Sequence, residues 1–568
     1  MLPIRTPLAA VALALMAGPL AAQGRAGNTT GYHTAARLAA SIDSVARANR
    51  GFITVSTLAT SPGGRPVQLI RIGAAEGADR KPALLVIAGA YGPQLASSEV
   101  ALRVVRELAT RRSSSASLYE THTIYVIPRL NPDASEAFFA TPRAERLGND
   151  QATDADRDHV TDEDAPDDLN GDGLITMMRV RVAGGGEYVA DSIDPALLRR
   201  ADAAKGDRGT YMLYVEGRDD DGDGEYNEDG PGGTDLSRNF AHNYEFFTAG
   251  SPLHPFSAEE TRAVAHFVAT QDNIAAIYVL GMQDNLVKPW VGRRVPGIGG
   301  SSQGTSQGGP LTAIMPAENP WFAALSERFD ATPKTGLPES PEAAGDPLSW
   351  AYYHMARFAV GSRVWWPGKA PADTAAGRKA PSSDPLADDR NAYRWFKAND
   401  PSGFVEWTPV AGYTIDGNPV EVGGFAPGAR LNPSAAVLDS LGTKQADWVE
   451  ELVGMLPTVS LQPVSVTAVG PRVWRLKATI ANNGFLPTNT ALALRSRLPM
   501  RVKVELKLAE GQSLGSGEVL QFVNALEGSG STQEFEWLVV GDAGSTVTLN
   551  VGAPNSGFAS QTITLRAR

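Results

Sequence analysis

Carboxylates are the most conspicuous chemical groups in this 568-residue chain. From Asp154 to Gly173 it reads DADRDHVTDEDAPDDLNGDG, and from Asp219 to Asp229 it reads DDDGDGEYNED. Oxygen ligands at alternate positions, followed by glycine, let a chain wrap a hard cation with about six to eight oxygens. Asp168, Asn170 and Asp172 with Gly173 begin such a loop, as do Asp219, Asp221 and Asp223 with Gly224. Asp154, Asp156 and Asp158 run into His159 where the glycine belongs, although Asp162 and Asp164 continue the acidic spacing. None of the three has the Glu that closes an EF-hand loop. The choice lies between isolated calcium loops and a solvated acidic face. Crowded carboxylates repel one another unless a cation is present, which favours calcium, in a structural role that stabilises the folded form.

Other metal-ligating residues are sparse. There is no cysteine, so neither a disulfide nor a thiolate metal site can form. The seven histidines stand at 33, 122, 159, 242, 254, 266 and 354. One His-x-x-Glu spacing occurs, His242 with Glu245, and His354 follows more than a hundred residues on. Short two-residue patterns of this kind arise often by accident. His266, alone on a helical stretch, reads as a packed or surface histidine.

The elements that must position these groups divide the chain in two. ALLVIAG (83–89), TIYVIP (123–128) and AAIYVLG (275–281) are short buried apolar runs, whereas Ser97–Arg112, 256–271 and 435–456 have helical spacing. Alternating runs of this type predict an α/β domain with helices covering a mostly parallel sheet. After Pro457 the text changes to VSVTAV, RLKATI, RVKVELKL, EFEWLVV and STVTLNV, separated by Gly, Asn and Ser turns. Residues 458–568 therefore read as an all-β sandwich, with Trp474, Phe522 and Trp537 expected in its core and NNGFLPTNT (482–490) as a loop. Stretches 296–310 and 367–390 read as Gly-, Ser-, Pro- and Ala-rich surface loops. Arg5, the apolar run to Leu20 and the exit Ala21-Ala22-Gln23 predict a signal peptide over 1–22 and export to the periplasm or beyond. No later run reaches the roughly 18 apolar residues of a membrane span. A formal charge of -12 argues against nucleic acid as a partner.

Several ordered landmarks between residues 33 and 457 carry a resemblance. They are LATSPGGRPVQLIRIG (58–73), ALLVIAGAYGPQ with SSEVALRVVREL after it, YVIPRLNPDA (125–134), GGTDLSRNF (232–240) and PFSAEETRA (255–263). In type and order they resemble the zinc carboxypeptidases of the carboxypeptidase A type, which implies that fold for residues 23–457, with the acidic stretches as insertions at about 150–230. The resemblance implies zinc ligands at Tyr91, Gln94 and Gly281, in place of that family's His-x-x-Glu and later His. Zinc needs imidazole nitrogen or carboxylate oxygen at about 2.0–2.2 Å, and none of these three side chains offers it. The catalytic glutamate position falls in SRVWW (362–366) on Arg363, a permanent cation that cannot accept a proton from water. In DLSRNF, Arg238 matches the arginine that grips a peptide's terminal carboxylate, and Ser237 replaces the neighbouring asparagine. Arg238, with Arg363 as a second cation, is thus a candidate carboxylate binder. The other reading of Arg238 is an arginine paired with Asp235 or another acid.

Taken together, these residues describe an exported carboxypeptidase-type protein without zinc-dependent peptidase chemistry that keeps a pocket for a peptide or other carboxylate. Two alternatives stay open. One is an active zinc metallocarboxypeptidase with a rebuilt site, and the other is a calcium-stabilised structural or adhesive surface protein.

Overall fold

The computed structural model describes residues 31–152, 159, 161, 164–220, 222, 224, 226–227, 230, 232–246, 254–291, 311, 313–331, 343–369 and 386–566. The signal-peptide stretch, the 296–310 loop and the acidic residues Asp154, Asp156, Asp158, Asp162, Asp221 and Asp223 lie outside the described residues.

The N-terminal part is built on two sheets. In chain order its strands are β1 (Ile53–Thr60), β2 (Pro66–Ile72), β3 (Ala83–Ala88), β4 (Thr123–Ile127), β5 (Met177–Gly186), β6 (Tyr188–Ala190), β7 (Leu198–Arg200), β8 (Gly209–Val215), β9 (Ile274–Leu280), β10 (Phe358–Ser362), β11 (Phe404–Ile415) and β12 (Asn418–Phe425). The first sheet has the order β1-β2-β4-β3-β9-β10. Its β4-β3-β9-β10 half is parallel, and β1 and β2 join it antiparallel. Every residue of β3, β4, β9 and β10 is buried, which is why these strands read as unbroken apolar runs: helices cover both faces of a parallel sheet. Helices Leu95–Thr110 and Ala435–Gly454 pack side by side against β3, and Trp448 from the second is fully buried in the main core.

Parallel register brings the C-terminal strand ends level, with Ala88 beside Leu280 and Leu280 beside Ser362. The chain leaves all three strands at the same edge, where open α/β sheets place their ligands.

The second sheet, β11-β12-β5-β8-β6-β7, is antiparallel throughout. The acidic stretch is therefore more than a loop insertion: it flanks strands that pair with a hairpin some two hundred residues downstream. Its core is Met178, Val180, Ile415, Val420 and Val422. A helix at Ala387–Asn399 takes up the end of the stretch expected to be loop.

From Val459 on, two antiparallel sheets share one apolar core that includes Trp474, Leu476, Trp537, Val539 and Leu549. Phe522 departs from expectation, since it is half exposed with the Arg501 guanidinium 4.8 Å from its ring. A short helix, Ala491–Arg495, follows the NNGFLPTNT loop. That loop is largely buried because it joins the two parts of the chain. Leu486 N donates to Met455 O at 2.9 Å, Thr490 Oγ1 to Ala356 O at 2.9 Å, and Leu492 N to Glu318 Oε1 at 3.1 Å. Leu486 and Leu492 belong to the core of the α/β part, not to that of the sandwich.

Candidate functional site

β3 is followed by Gly89, whose φ of 66° and close approach to Arg129 Cα, 2.9 Å from where a Cβ would lie, require glycine. The chain then turns through Tyr91 and Gln94 into the helix Leu95–Thr110. Gln94 N donates to Tyr91 O at 3.0 Å, and Ser97 Oγ donates to Gln94 O at 2.8 Å while accepting from Gly89 N at 3.1 Å. Asn432 clamps the turn from outside, donating to Pro93 O at 2.8 Å and accepting from Ala96 N at 2.9 Å. Gln94 is buried, and neither its amide oxygen nor its nitrogen finds a hydrogen-bond partner among the described residues. Orphaned buried polar atoms cost about 1–3 kcal/mol each, so the position is not optimised for stability. Burial raises the Tyr91 phenol well above its ordinary pKa, and the charges of Glu145 and Asp235 push it the same way. The neutral phenol that results is a poor metal ligand.

Gly281 follows β9, and its N–H donates to Ser362 O at 3.2 Å. Among the described residues a Cβ there would meet only Val279 Cγ1, at 3.4 Å, and the backbone does not demand glycine. Arg363 follows β10. Its Nε donates to Met282 O at 3.0 Å, its N–H to Asp284 Oδ2 at 3.3 Å, and its guanidinium lies 4.8 Å from the Trp366 ring. Burial lowers its pKa, and Asp284 and Asp388 partly offset this.

Arg238 ends a short 3-10 turn, Leu236–Arg238, capped by Asp235, whose Oδ1 accepts from Ser237 N at 2.9 Å and Ser237 Oγ at 2.7 Å. Phe240 N donates to Gly345 O at 2.8 Å and Gly345 N to His242 O at 2.7 Å. Gly345 has φ 71°, and a Cβ there would sit 2.2 Å from Arg238 O, so glycine is required for this contact. The Arg238 guanidinium pairs with Glu245 at 3.0 Å rather than with Asp235. Burial raises the Asp235 pKa against the pull of Ser237 and Arg238.

Tyr91, Ser237, Arg238 and Gly281 line one inner chamber of about 300 Å³. Gln94 and Arg363 are not among its lining residues. The chamber meets an outer groove of about 840 Å³, with Leu147, Asp235 and Arg238 lining both. One side of the groove is a charge ladder in which Arg65 bonds Asp133 at 2.7 Å and Asp150 at 2.6 Å, and Arg146 bonds Asp150 at 2.5 Å. Ala165, Pro166 and Asn227, from the acidic region, form part of its wall.

Sequence reasoning did not find Asp346. It lines the inner chamber, is 1 % exposed, and caps the helix Pro347–Tyr353 by accepting from Ser349 N at 2.9 Å through Oδ1. Its Oδ2 has no partner among the described residues, and burial pushes its pKa up to about 6. Asp-Pro ahead of a helical run was the available signal, but it marks a cap, not a pocket.

His242 and His354 do approach, with ring centroids 5.6 Å apart, and Tyr353 stacks on His242 at 4.0 Å. Glu245 reaches Arg238. Among the described residues no three His, Cys, Asp or Glu side chains are grouped to hold a metal ion.

The described parts of the acidic loops wind round their first carboxylate. Asp168 accepts from Gly171 N and Asp172 N at 2.8 and 3.1 Å and from Gly173 N at 2.8 Å. Asp219 accepts from Gly222 N at 2.6 Å and Gly224 N at 3.1 Å. Buried Asp164 and Glu216 tie the two loops together, Asp164 accepting from Asp220 N and Asn227 N, and Glu216 from Leu169 N and Thr176 N.

The fold is that of a mixed α/β protein followed by an all-β region. Residues 38–173 match the zinc carboxypeptidase family model, and residues 458–564 match a domain of unknown function (DUF8731). Among solved structures, carboxypeptidase A from Helicoverpa armigera is 13% identical over 64% of this chain and 70% of that one, with a TM-score of 0.37. Thrombin activatable fibrinolysis inhibitor is 12% identical over 75% and 77%, also with a TM-score of 0.37. A metallo-carboxypeptidase from Pseudomonas aeruginosa is 14% identical over 74% and 68%, with a TM-score of 0.32. A comparison with curated proteins gives no match. The likeness to zinc carboxypeptidases rests on the family match.

Proposed function

We propose that this chain is an exported binding protein on a carboxypeptidase-like framework. It recognises the terminal carboxylate of a peptide, or another carboxylate, through Arg238, and does not hydrolyse peptides with zinc. The observation that carries this reading is the lining of the inner chamber: Tyr91 and Gly281 come from separate strand ends to one cavity that also holds Arg238. A neutral phenol and a bare backbone cannot hold zinc beside an arginine suited to carboxylates. Arg363 carries a fixed charge, so it cannot serve as the base that would activate water. Glu245 neutralises Arg238 in the absence of ligand, across a pair exposed enough for a ligand carboxylate to displace it.

Calcium in the acidic loops is part of the same proposal, as a structural ion. The support is that Asp168 and Asp219 already fold their loops by accepting backbone N–H groups.

Isothermal titration with acetyl-Ala-Ala-Leu and with its C-terminal amide, run beside a hydrolysis assay with added zinc, tests the reading. Binding of the free acid, at least tenfold tighter than the amide and without turnover, is the expected result. Zinc-dependent release of leucine would establish instead an active metallocarboxypeptidase with a rebuilt site. Equal affinity for acid and amide would remove Arg238 as the anchor.

A further inference from the structure

Two histidines that the carboxylate-binding reading leaves unused meet outside the chamber and the groove. His242 follows the GGTDLSRNF segment, and His354 ends the helix Pro347–Tyr353. Neither lines either cavity. His242 is 2% exposed, with Tyr353 stacked on its ring at 4.0 Å and Trp290 stacked in turn on Tyr353 at 6.0 Å. Its Nε2 has no hydrogen-bond partner among the described residues, while the Leu311 backbone accepts from the ring. The ring proton therefore sits on Nδ1, and Nε2 presents a bare lone pair. Metal-binding imidazoles are held in the same way, the second nitrogen donating to a carbonyl that fixes the tautomer. An enclosed lone pair without a partner costs about 1–3 kcal/mol, which a ligand at Nε2 would recover.

His354 supplies the second nitrogen. The two ring centres are 5.6 Å apart, with the rings inclined at 75°. A metal bound to an imidazole nitrogen at about 2.0–2.1 Å stands about 3.2 Å from that ring's centre. Two rings sharing one ion therefore have centres about 4.5 Å apart when bound at a right angle and about 6.4 Å apart when bound in line. The observed separation falls inside that span. His354 is exposed, so its ring can turn to meet an ion without disturbing the core. Glu245, the acidic member of the His-x-x-Glu spacing, is committed to Arg238, which leaves two nitrogens from the protein and water for the other positions. Two imidazoles are too few for a tight zinc site, which takes three or four protein ligands. Imidazole with water suits tetragonal copper(II), the most strongly bound divalent ion of the first row.

We propose that His242 and His354 form a two-nitrogen site for a late first-row divalent metal ion, with copper(II) preferred. The site is separate from the inner chamber and does not depend on the reading of Arg238.

Titration of the full chain with copper(II), and separately with zinc(II), tests it by calorimetry and by electron paramagnetic resonance of the bound copper. Calcium in millimolar excess competes at the carboxylates of the acidic loops. The expected result is one copper per chain, bound about tenfold tighter than zinc or better, with splitting from two nitrogens. His354→Gln, a change at an exposed position, should weaken copper binding about tenfold or more and remove the splitting from one nitrogen. No copper bound by the parent chain, copper held alike by the parent and His354→Gln, or zinc held as tightly as copper would each overturn the proposal.

Discussion

Truncating Arg238 to alanine should weaken peptide binding without much change in stability, and the pair it makes with Glu245 sets the size of the loss. Arg238 and Glu245 approach to 3.0 Å with side chains 33% and 51% exposed. Pairs this open contribute about 0–1 kcal/mol, so the free protein loses little when the arginine is removed. A ligand carboxylate on the same guanidinium makes hydrogen bonds between charged groups, worth about 1.5–3 kcal/mol. Displacing Glu245 consumes up to about 1 kcal/mol of that. The net loss in Arg238→Ala is then roughly 1–2 kcal/mol, or about five- to thirtyfold in Kd. Removing the competitor should act in reverse: Glu245→Gln frees the guanidinium and should tighten binding by up to about fivefold. Titration calorimetry with acetyl-Ala-Ala-Lys at about 50 mM salt reads both numbers, and thermal melting should move little in either variant. If Arg238→Ala binds like the parent, or Glu245→Gln weakens binding as much as Arg238→Ala does, the carboxylate reading of this arginine is wrong.

The carry-over of zinc positions is testable by reversing it. The triple variant Tyr91→His, Gln94→Glu, Gly281→His should take up zinc, since a Cβ at 281 meets, among the described residues, only Val279 Cγ1 at 3.4 Å; zinc at a hundredfold excess over Kd should add about 2.7 kcal/mol of stability. No uptake would mean the three positions do not converge. Chelation with EGTA should lower the melting temperature if calcium orders the acidic loops, and an unchanged melt with no calcium in the protein would end that proposal. His122, buried and bonded to Leu118 O, has its pKa pushed down to about 4 by burial. A lowered histidine pKa means that the unfolded chain binds more protons between about pH 4 and 6.5, so stability should fall as pH drops through that window. The slope attributable to this group is about 1.4 kcal/mol per pH unit. His122→Asn should flatten the dependence by that amount in denaturant titrations, and parallel curves for parent and variant would refute it.

The parallel half of the main sheet was readable because strands buried on both faces have to be continuous apolar runs. ALLVIA, TIYVI and AAIYVL each fall inside an observed strand. The second sheet was not readable, because β5 and β12 pair across some two hundred and forty residues, Val180 beside Val420, and no local pattern encodes such a partner. Phe522 misled for a related reason. Aromatics in short strands are usually core, but the strand Leu520–Val523 lies at a sheet edge, where Phe522 is half exposed under the Arg501 guanidinium. Within the candidate site, Tyr91 and Gly281 could be found because they follow strand ends in the expected order, and Arg238 from the landmark DLSRNF, and the three line one chamber. Asp346 could not, since its local text is fully explained by its role as a helix cap.

The most direct test of the account is elemental analysis of the purified, dialysed protein, counting zinc and calcium per chain. The account predicts calcium and no stoichiometric zinc. One tightly held zinc per chain would contradict it and make this an active-site metal protein after all.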